Sequence, residues 1–288
     1  MFAPSFDYYR AGAVREALAL MQQHPGAKFL AGGHSLIPLL KLRLTAPTAL
    51  IDIGRIPELK GIASSGGTIR IGALTTHAEL ATSPVLTAEC PMLCDAAGHI
   101  GDAQVRNCGT IGGNVAHADP ASDLPTVLVA LDARFVVASS KGERTVTASE
   151  FFQGMMTTAL DASEILTAIE VPSKKTGQGM AYIKFSHPAS RYAVIGAAAV
   201  VTMKGGSCEA AQVAIGGLVP VPARLRDVEA AVKGARPSQD VTAKAAAEAT
   251  KQLGGDVLGD VFASAEYRKA IAPVYVKRAL AAAFQRAS

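Results

Sequence analysis

Paired cysteines at the C-x2-C spacing that holds zinc or an iron–sulfur cluster are missing from this 288-residue chain. Its four cysteines, Cys90, Cys94, Cys108 and Cys208, therefore suggest no metal centre, and no metal ligands are assigned. Cys90 and Cys94 lie at helical spacing around Pro91, as reduced, buried side chains would in a reducing compartment. Charge of one sign is also scarce: the net charge is +4 and no basic block is longer than Lys174-Lys175, which excludes a nucleic-acid surface. The longest apolar run, Ala193 to Met203, is about 11 residues, short of the roughly 20 a spanning helix needs. Met1 to Asp7 has neither a basic start nor an apolar core, so no secretory signal is read and a cytoplasmic location is expected. Peripheral membrane contact stays compatible with this. With no low-complexity tract, 49% apolar and 18% charged residues, disorder is excluded as the general state of the chain.

The common catalytic signatures are absent as well. There is no G-x-G-x-x-G after a strand, no G-x-x-x-x-G-K-[ST], no H-E-x-x-H and no G-x-S-x-G. Six histidines are scattered, and none has a third group placed in sequence to orient it as a base, so no catalytic residue is assigned. His34 and His117, beside the glycine turns described next, either face a ligand or hydrogen-bond loop backbone.

What the chain does have is two glycine-rich turns about 80 residues apart, Ala31-Gly32-Gly33-His34-Ser35 and Thr110-Ile111-Gly112-Gly113-Asn114. Adjacent glycines admit positive φ and let backbone N–H groups converge on an anion, and Ser35 and Thr110 add hydroxyls. Two such turns suggest a ligand with two linked phosphates, with a dinucleotide as first candidate. Strand, glycine turn, helix is the order around the first: a helix over Ala13 to Gln23, a strand over Lys28 to Ala31, and a helix over Leu36 to Leu44 capped by Ser35, whose dipole would reinforce the site.

Further along, strands are expected at Ala49 to Ile53 and Thr68 to Gly72, a short helix from Ala78, and a longer one over Val85 to Ile100 broken near Pro91. After the second turn come an apolar helix, Leu124 to Leu131, and strands at Arg134 to Ala138 and Glu164 to Val171. Residues 173–179 have the composition of a flexible link. Beyond it, Met180 to Phe185, Val194 to Met203 and Glu209 to Gly216 form a small antiparallel sheet, with a hairpin at Lys204-Gly205-Gly206. Helices follow at about 224–234, 239–253 and 265–285, the last capped by Ser264 with Tyr267, Ile271 and Val274 on one face. Two domains are expected, residues 1–175, with subdomains of about 1–54 and 55–175, and residues 176–288.

Three residues have two readings each. Asp123 is either the cap of the apolar helix or a carboxylate for sugar hydroxyls. Lys184 shares a strand face with Met180 and Tyr182 and is either solvent-exposed or a ligand contact. Tyr192 is either core or rim, or lies flat against an aromatic ring.

In order, Ala31-Gly32-Gly33-His34-Ser35-Leu36-Ile37-Pro38, Lys41-Leu42-Arg43, Ile71-Gly72-Ala73-Leu74-Thr75-Thr76, Thr110-Ile111-Gly112-Gly113-Asn114, Asp119-Pro120, Asp123 and Glu164-Ile165-Leu166 carry a resemblance over nearly the whole length. The chain resembles the FAD-binding medium subunit of aerobic carbon monoxide dehydrogenase and related molybdenum hydroxylases, the group that includes the flavin domain of xanthine dehydrogenase. The resemblance implies an α+β fold: a vanillyl-alcohol-oxidase-type (PCMH-type) FAD-binding domain of two α/β subdomains, plus a C-terminal domain of a small antiparallel sheet with helices. It implies that Phe29, Leu30, Ala31, Gly32, Gly33, His34, Ser35 and Leu36, with Thr110, Ile111, Gly112, Gly113 and Asn114, hold FAD around its pyrophosphate. By the same resemblance Asp123 binds sugar hydroxyls, Ile100 and Leu166 line the cofactor, Lys184 contacts it and Tyr192 covers the isoalloxazine.

The resemblance further implies an electron-transfer flavoprotein oxidoreductase subunit, active within a complex. A large subunit with the molybdenum cofactor would oxidise substrate, a small one would carry two [2Fe-2S] clusters, and FAD on this chain would pass electrons to an external acceptor, in a dimer of heterotrimers. Two rival readings stay open: a self-sufficient flavin oxidase of the same fold, with His34 or His99 as candidates for covalent flavin attachment, and a flavin-free assembly scaffold.

Overall fold

The computed structural model describes residues 2–251 and 253–287, and every structural statement below is made of those residues. Met1, Gln252 and Ser288, which fall within ranges given above, lie outside them. The chain begins with β1 (Asp7–Arg10), α1 (Val14–Gln23), β2 (Lys28–Leu30), α2 (Leu36–Lys41) and β3 (Ala49–Asp52). These strands form a parallel sheet in the order β1-β3-β2. Ala17, Leu18 and Met21 of α1 are buried in a core with Ile51, Ile53 and Ile56, the helix repeat meeting the strand.

The helix after the first glycine turn is shorter than expected, ending at Lys41 rather than Leu44. Arg43 takes φ +57°, and Leu44 and Arg43 donate back to the carbonyls of Leu39 and Leu40, a left-handed termination built on arginine where glycine is usual. Ser35 does not cap it: its backbone is already helical and its side chain accepts no N–H. So short a helix adds little dipole to the turn before it.

The next segment comprises β4 (Ile62–Ser65), β5 (Thr68–Gly72), α3 (His77–Thr82), α4 (Pro84–Glu89), α5 (Pro91–Gly98), α6 (Ala103–Cys108), α7 (Ile111–His117), α8 (Asp123–Ala130), β6 (Arg134–Ser139), β7 (Gly142–Thr147), α9 (Ala148–Phe151), β8 (Phe152–Gly154), β9 (Thr157–Thr158) and β10 (Ile165–Pro172). Its main sheet runs β4-β5-β10-β6-β7, with β10 antiparallel to both neighbours. Pro91 sits in the first turn of α5 and divides it from α4, as the sequence predicts. The second glycine turn is a helix rather than a loop: Thr110 caps α7, and Gly112 and Gly113 are helical.

The chain closes with β11 (Gln178–Ser186), β12 (Ala193–Lys204), β13 (Ser207–Gly216), β14 (Ala223–Arg224), α10 (Arg226–Val232), α11 (Gln239–Ala247) and α12 (Ala265–Ala287). The sheet order is β11-β12-β13-β14, all antiparallel. Lys204 pairs with Ser207 across Gly205 and Gly206, both at positive φ, which makes the expected two-residue hairpin. β12 is apolar on both faces because both are covered. Ile195, Ala197, Ala199 and Val201 meet α10, α11 and α12, while Ala198 and Val200 join the core of the preceding segment.

That second covering decides the site. Gly216 admits α8 so closely that a Cβ there would collide with the Thr126 hydroxyl, and Gly196 leaves room for the Tyr182 ring. Residues 173–177 are tied rather than loose: Ser173 N–H donates to Gly67, Lys174 N–H to Glu89, and the Ser173 hydroxyl to the Glu89 carboxylate. On α12, Ser264 accepts the Tyr267 N–H as expected. The expected face is wrong, however: Tyr267 and Val274 are about half-exposed, and the buried stripe is Arg268, Ala272, Val276, Ala279, Leu280, Ala283 and Phe284. At Ala283 the approach of α12 to β11 is so close that Gly179 lies against its carbonyl. The architecture is α+β, two α/β units followed by a small antiparallel sheet with helices. No helix is long and apolar enough to cross a membrane.

Candidate functional site

The two glycine motifs meet. A Cβ on Gly32 would collide with the Cys108 carbonyl and lie 3.1 Å from Gly109 Cα, and one on Gly113 would lie 3.9 Å from the Ala31 Cβ. The Ile71 to Thr76 segment completes the junction, because Ile111 N–H donates to Thr75 at 2.9 Å and Gly112 N–H to Ala73 at 2.8 Å. A methyl group on Gly112 would sit 2.5 Å from the Ala73 Cβ. Gly113 N–H donates to the Thr110 hydroxyl at 3.1 Å. The second motif thus spends the N–H groups of Ile111, Gly112 and Gly113 on the protein, contrary to the expectation that they converge on an anion.

The first motif does the opposite. No protein acceptor is placed for the N–H groups of Gly32, Gly33, His34 or Ser35. Gly33 has φ +73°, a turn that only glycine takes without strain. These residues are half-buried or exposed, and the His34 ring folds back to the Gly32 carbonyl at 3.2 Å, the loop-backbone bond foreseen for it. A row of unengaged amides beside a glycine that admits close approach is a cradle for an anion. Phe29 and Leu30 bring β2 up to this turn: Phe29 packs on the first core, and the Leu30 side chain lies beside Gly33, as does Ile37. Leu36 opens α2 and is half-buried.

His77, which sequence reasoning missed, lies under the junction. It is 3% exposed, its ring edge is 2.9 Å from where a Gly109 Cβ would stand, and its Nδ1 has no partner. Burial, with His34 nearby, lowers its pKa to about 4, so the ring is neutral. The signal in sequence was its place beside Thr76, whose capping box with Glu79 starts α3 and fixes the ring inward.

A second group of predicted residues gathers where the C-terminal sheet meets α8. Asp123 is 4% exposed; its Oδ1 accepts the Tyr182 hydroxyl at 2.6 Å and its Oδ2 the Lys184 Nζ at 2.8 Å. Asp123 therefore is not the cap of α8, which is Ser122 by position. The Lys184 side chain is 2% exposed, so the solvent-exposed alternative fails; period two points it, with Met180 and Tyr182, into the interface. Burial raises the Asp123 pKa, opposed by the Lys184 ammonium and the Tyr182 hydroxyl, and burial beside Asp123 raises that of Tyr182.

Lys184 also donates to the His99 carbonyl at 3.2 Å, and Arg106 to the Ile100 carbonyl at 2.9 Å, so the turn carrying Ile100 is gripped from both sides. Ile100 and Leu166 are both buried in the central core. Tyr192 is about half-exposed, and burial together with Asp119 and Asp123 raises its pKa. Asn114 links the two groups: its Oδ1 accepts the Ser122 hydroxyl at 2.7 Å, one residue before Asp123. The described residues thus hold open amides, an Asn114–Ser122 link, a buried carboxylate and cation, and a half-exposed tyrosine, groups that suit a ligand with phosphates, sugars and an aromatic end.

Comparison with known proteins adds to this geometry. A family model described as the FAD binding domain in molybdopterin dehydrogenase matches residues 4–174, and one described as the CO dehydrogenase flavoprotein C-terminal domain matches residues 180–283. The chain is 40% identical over 289 residues to the carbon monoxide dehydrogenase medium chain of Hydrogenophaga pseudoflava, covering 99% of each. It is 37% identical over 279 residues to the glyceraldehyde dehydrogenase medium chain of Sulfolobus acidocaldarius, covering 97% of this chain and 98% of the other. Among solved structures, the carbon monoxide dehydrogenase from Hydrogenophaga pseudoflava lacking the Mo-pyranopterin moiety superposes with a TM-score of 0.96 at 41% identity, covering 100% of both chains. Quinoline 2-oxidoreductase from Pseudomonas putida 86 gives 0.94 at 32% identity, covering 100% of this chain and 99% of the other.

Proposed function

The chain belongs to the family of FAD-binding flavoprotein subunits of molybdopterin dehydrogenases, with a PCMH-type fold, and from that premise we propose that it carries FAD as the electron-transfer subunit of a molybdenum-containing hydroxylase complex. The observation that carries this reading is the row of unengaged N–H groups from Gly32 to Ser35, on a turn packed against Cys108, Gly109 and Gly113.

The residues fit such a cofactor. The N–H groups of Gly32, Gly33, His34 and Ser35 would hold the pyrophosphate, with Gly33 giving close approach and Phe29, Leu30, Ala31 and Leu36 shaping the wall. Thr110, Ile111 and Gly112 would serve by holding the opposite wall rigid, and the exposed Gly113 and half-buried Asn114 would face the ligand. Each Asp123 oxygen keeps a lone pair beyond its bond to Tyr182 or Lys184, which the sugar-hydroxyl role requires. Lys184 brings a fixed positive charge near the ligand, Ile100 and Leu166 exclude water, and Tyr192 covers the ring. When bound, FAD supplies one- and two-electron chemistry, and the chain orients it and sets its polar surroundings.

The domain division proposed is 1–175, with subdomains of about 1–54 and 55–175, and 176–288. The partners are a large molybdenum-cofactor subunit and a small [2Fe-2S] subunit in a dimer of heterotrimers. Support comes from the relatives, which are named as medium chains. The cytoplasmic compartment belongs to the same proposal, supported by four free cysteines; burial raises the pKa of Cys90 to about 12 and also raises those of Cys94 and Cys208. The test is spectroscopic: purified protein or complex is expected to absorb at about 450 nm as oxidised flavin and to release FAD on acid denaturation. A folded, colourless, nucleotide-free chain that takes up no FAD would reject the reading.

A further inference from the structure

The backbone of Tyr192 is set by its loop. The β11–β12 hairpin closes through residues 187–192, where β11 ends at Ser186, paired with Ala193 across a register shift. Tyr192 is about half-exposed, with Asp119 and Asp123 near enough to raise its pKa. What shapes the loop is His187. Its Nδ1 accepts the N–H groups of Ala189 and Ser190, each at 3.2 Å, so that nitrogen carries no proton. Its own N–H donates to the Tyr192 carbonyl at 2.8 Å, and its carbonyl accepts the Arg191 N–H at 2.9 Å. The wrap drives Arg191 to φ +60°, a conformation that costs a residue with a side chain.

The imidazole is itself braced from outside the loop. It packs edge-on against Phe262, centroids 4.6 Å apart at 63°, and Phe262 in turn neighbours Phe185 at 6.1 Å. Phe262 sits on a turn whose N–H groups at Phe262 and Ala263 donate to the Asp260 carboxylate. Asp260 pairs with the buried Arg268 of α12, which also donates to the Gly217 carbonyl at 2.8 Å. A line of contacts therefore runs from the C-terminal core through Asp260, Phe262 and His187 to the backbone of Tyr192.

We propose that His187 is a positioning residue for the flavin face: its unprotonated Nδ1 and its ring, wedged against Phe262, hold the 187–192 loop so that Tyr192 covers the isoalloxazine. This rests on the proposed FAD site, and two measurements keep the two ideas apart. The first is hydrogen–deuterium exchange on the full chain without added flavin. His187→Leu keeps bulk against Phe262 but removes the acceptor, and the Ala189 and Ser190 amides are expected to exchange roughly tenfold faster, the scale of losing one neutral acceptor that the two N–H groups share. His187→Asn puts an amide oxygen where Nδ1 stood and restores slow exchange. Phe262→Leu, which spares the acceptor, moves exchange the same way by less.

The second measurement is the emission of bound FAD, which a stacked tyrosine quenches. It rises in Tyr192→Leu and in His187→Leu, and stays at the parent level in His187→Asn. Unchanged exchange in a folded His187→Leu chain overturns the brace. Faster exchange without a change in emission, where Tyr192→Leu does change it, overturns the link from His187 to Tyr192. Bound FAD whose emission ignores Tyr192→Leu overturns the covering role of Tyr192 and this inference with it.

Discussion

Gly32-Gly33 and Gly112-Gly113 are near twins in sequence, and their amides have opposite fates in the fold. Around the first pair the N–H groups find no protein acceptor, and the backbone bends through a positive φ at Gly33. Around the second they are consumed by Thr75, Ala73 and Thr110, and the glycines exist because α7 presses on Ala73. One pair leaves its amides open, as the proposed anion site requires, and the other spends them on packing. Glycine permits either role, so the residue alone does not distinguish an open amide from a close contact.

The largest expected effect lies on the rigid side, beyond α7. Asp123→Leu or Lys184→Met alone leaves a buried charge without its partner and is expected to cost about 3–5 kcal/mol, while the double variant regains most of it. Chemical denaturation of the three variants checks this, and a double-variant loss equal to the sum of the two single losses would show the pair to be independent.

Gly112→Glu against Gly33→Glu tests the comparison directly. At Gly112 a side chain enters a filled, buried space, and a loss of about 3 kcal/mol or more in stability is expected together with flavin loss. At Gly33 the strain of positive φ costs about 1–2 kcal/mol, so the chain folds, while the carboxylate repels the pyrophosphate and flavin is lost. Equal stability losses at the two positions would erase the distinction between them.

Acid sensitivity of the junction comes next. His77 is neutral and buried in the folded chain with a pKa of about 4 against an ordinary 6.5, so unfolding takes up a proton between these values. Stability is full above pH 6.5 and is lost as pH falls toward 4, by about 3 kcal/mol from this group. His77→Leu is expected to remove that slope, as read from denaturation midpoints across the range. The smallest effect separates two hydroxyls: Thr110→Ala removes a helix cap and costs about 1 kcal/mol, whereas Ser35→Ala, which caps nothing, stays within roughly 0.5 kcal/mol while weakening flavin retention.

Much of the element order was legible because period and punctuation are local. Pro91 divided two helices, Gly205-Gly206 made a hairpin, and an apolar run marked β12. Misreadings arose where a remote contact decided. Tyr267 and Val274 looked like the inward face of α12 by hydropathy, but the helix turns Ala272, Val276, Leu280 and Phe284 inward instead. Ser35 looked like a cap, yet the backbone had already entered helical φ and ψ there. Lys184 had two readings in sequence, solvent-exposed or a ligand contact, and α8 removed the first by supplying Asp123. His77 had only the Thr76 capping box beside it as a local signal, and its burial against Gly109 is a remote contact.

By itself the sequence determined that the chain has two glycine motifs, alternating α/β units and a small sheet flanked by helices, because propensities, turn residues and hydrophobic period act over a few neighbouring residues. Only the tertiary structure decided which amides stay open, which carboxylate is paired and which tyrosine stands exposed. Those outcomes depend on partners about 36 to 61 residues away, such as Thr75 for Ile111 and Lys184 for Asp123, whose arrival replaces water at some polar groups and leaves it at others.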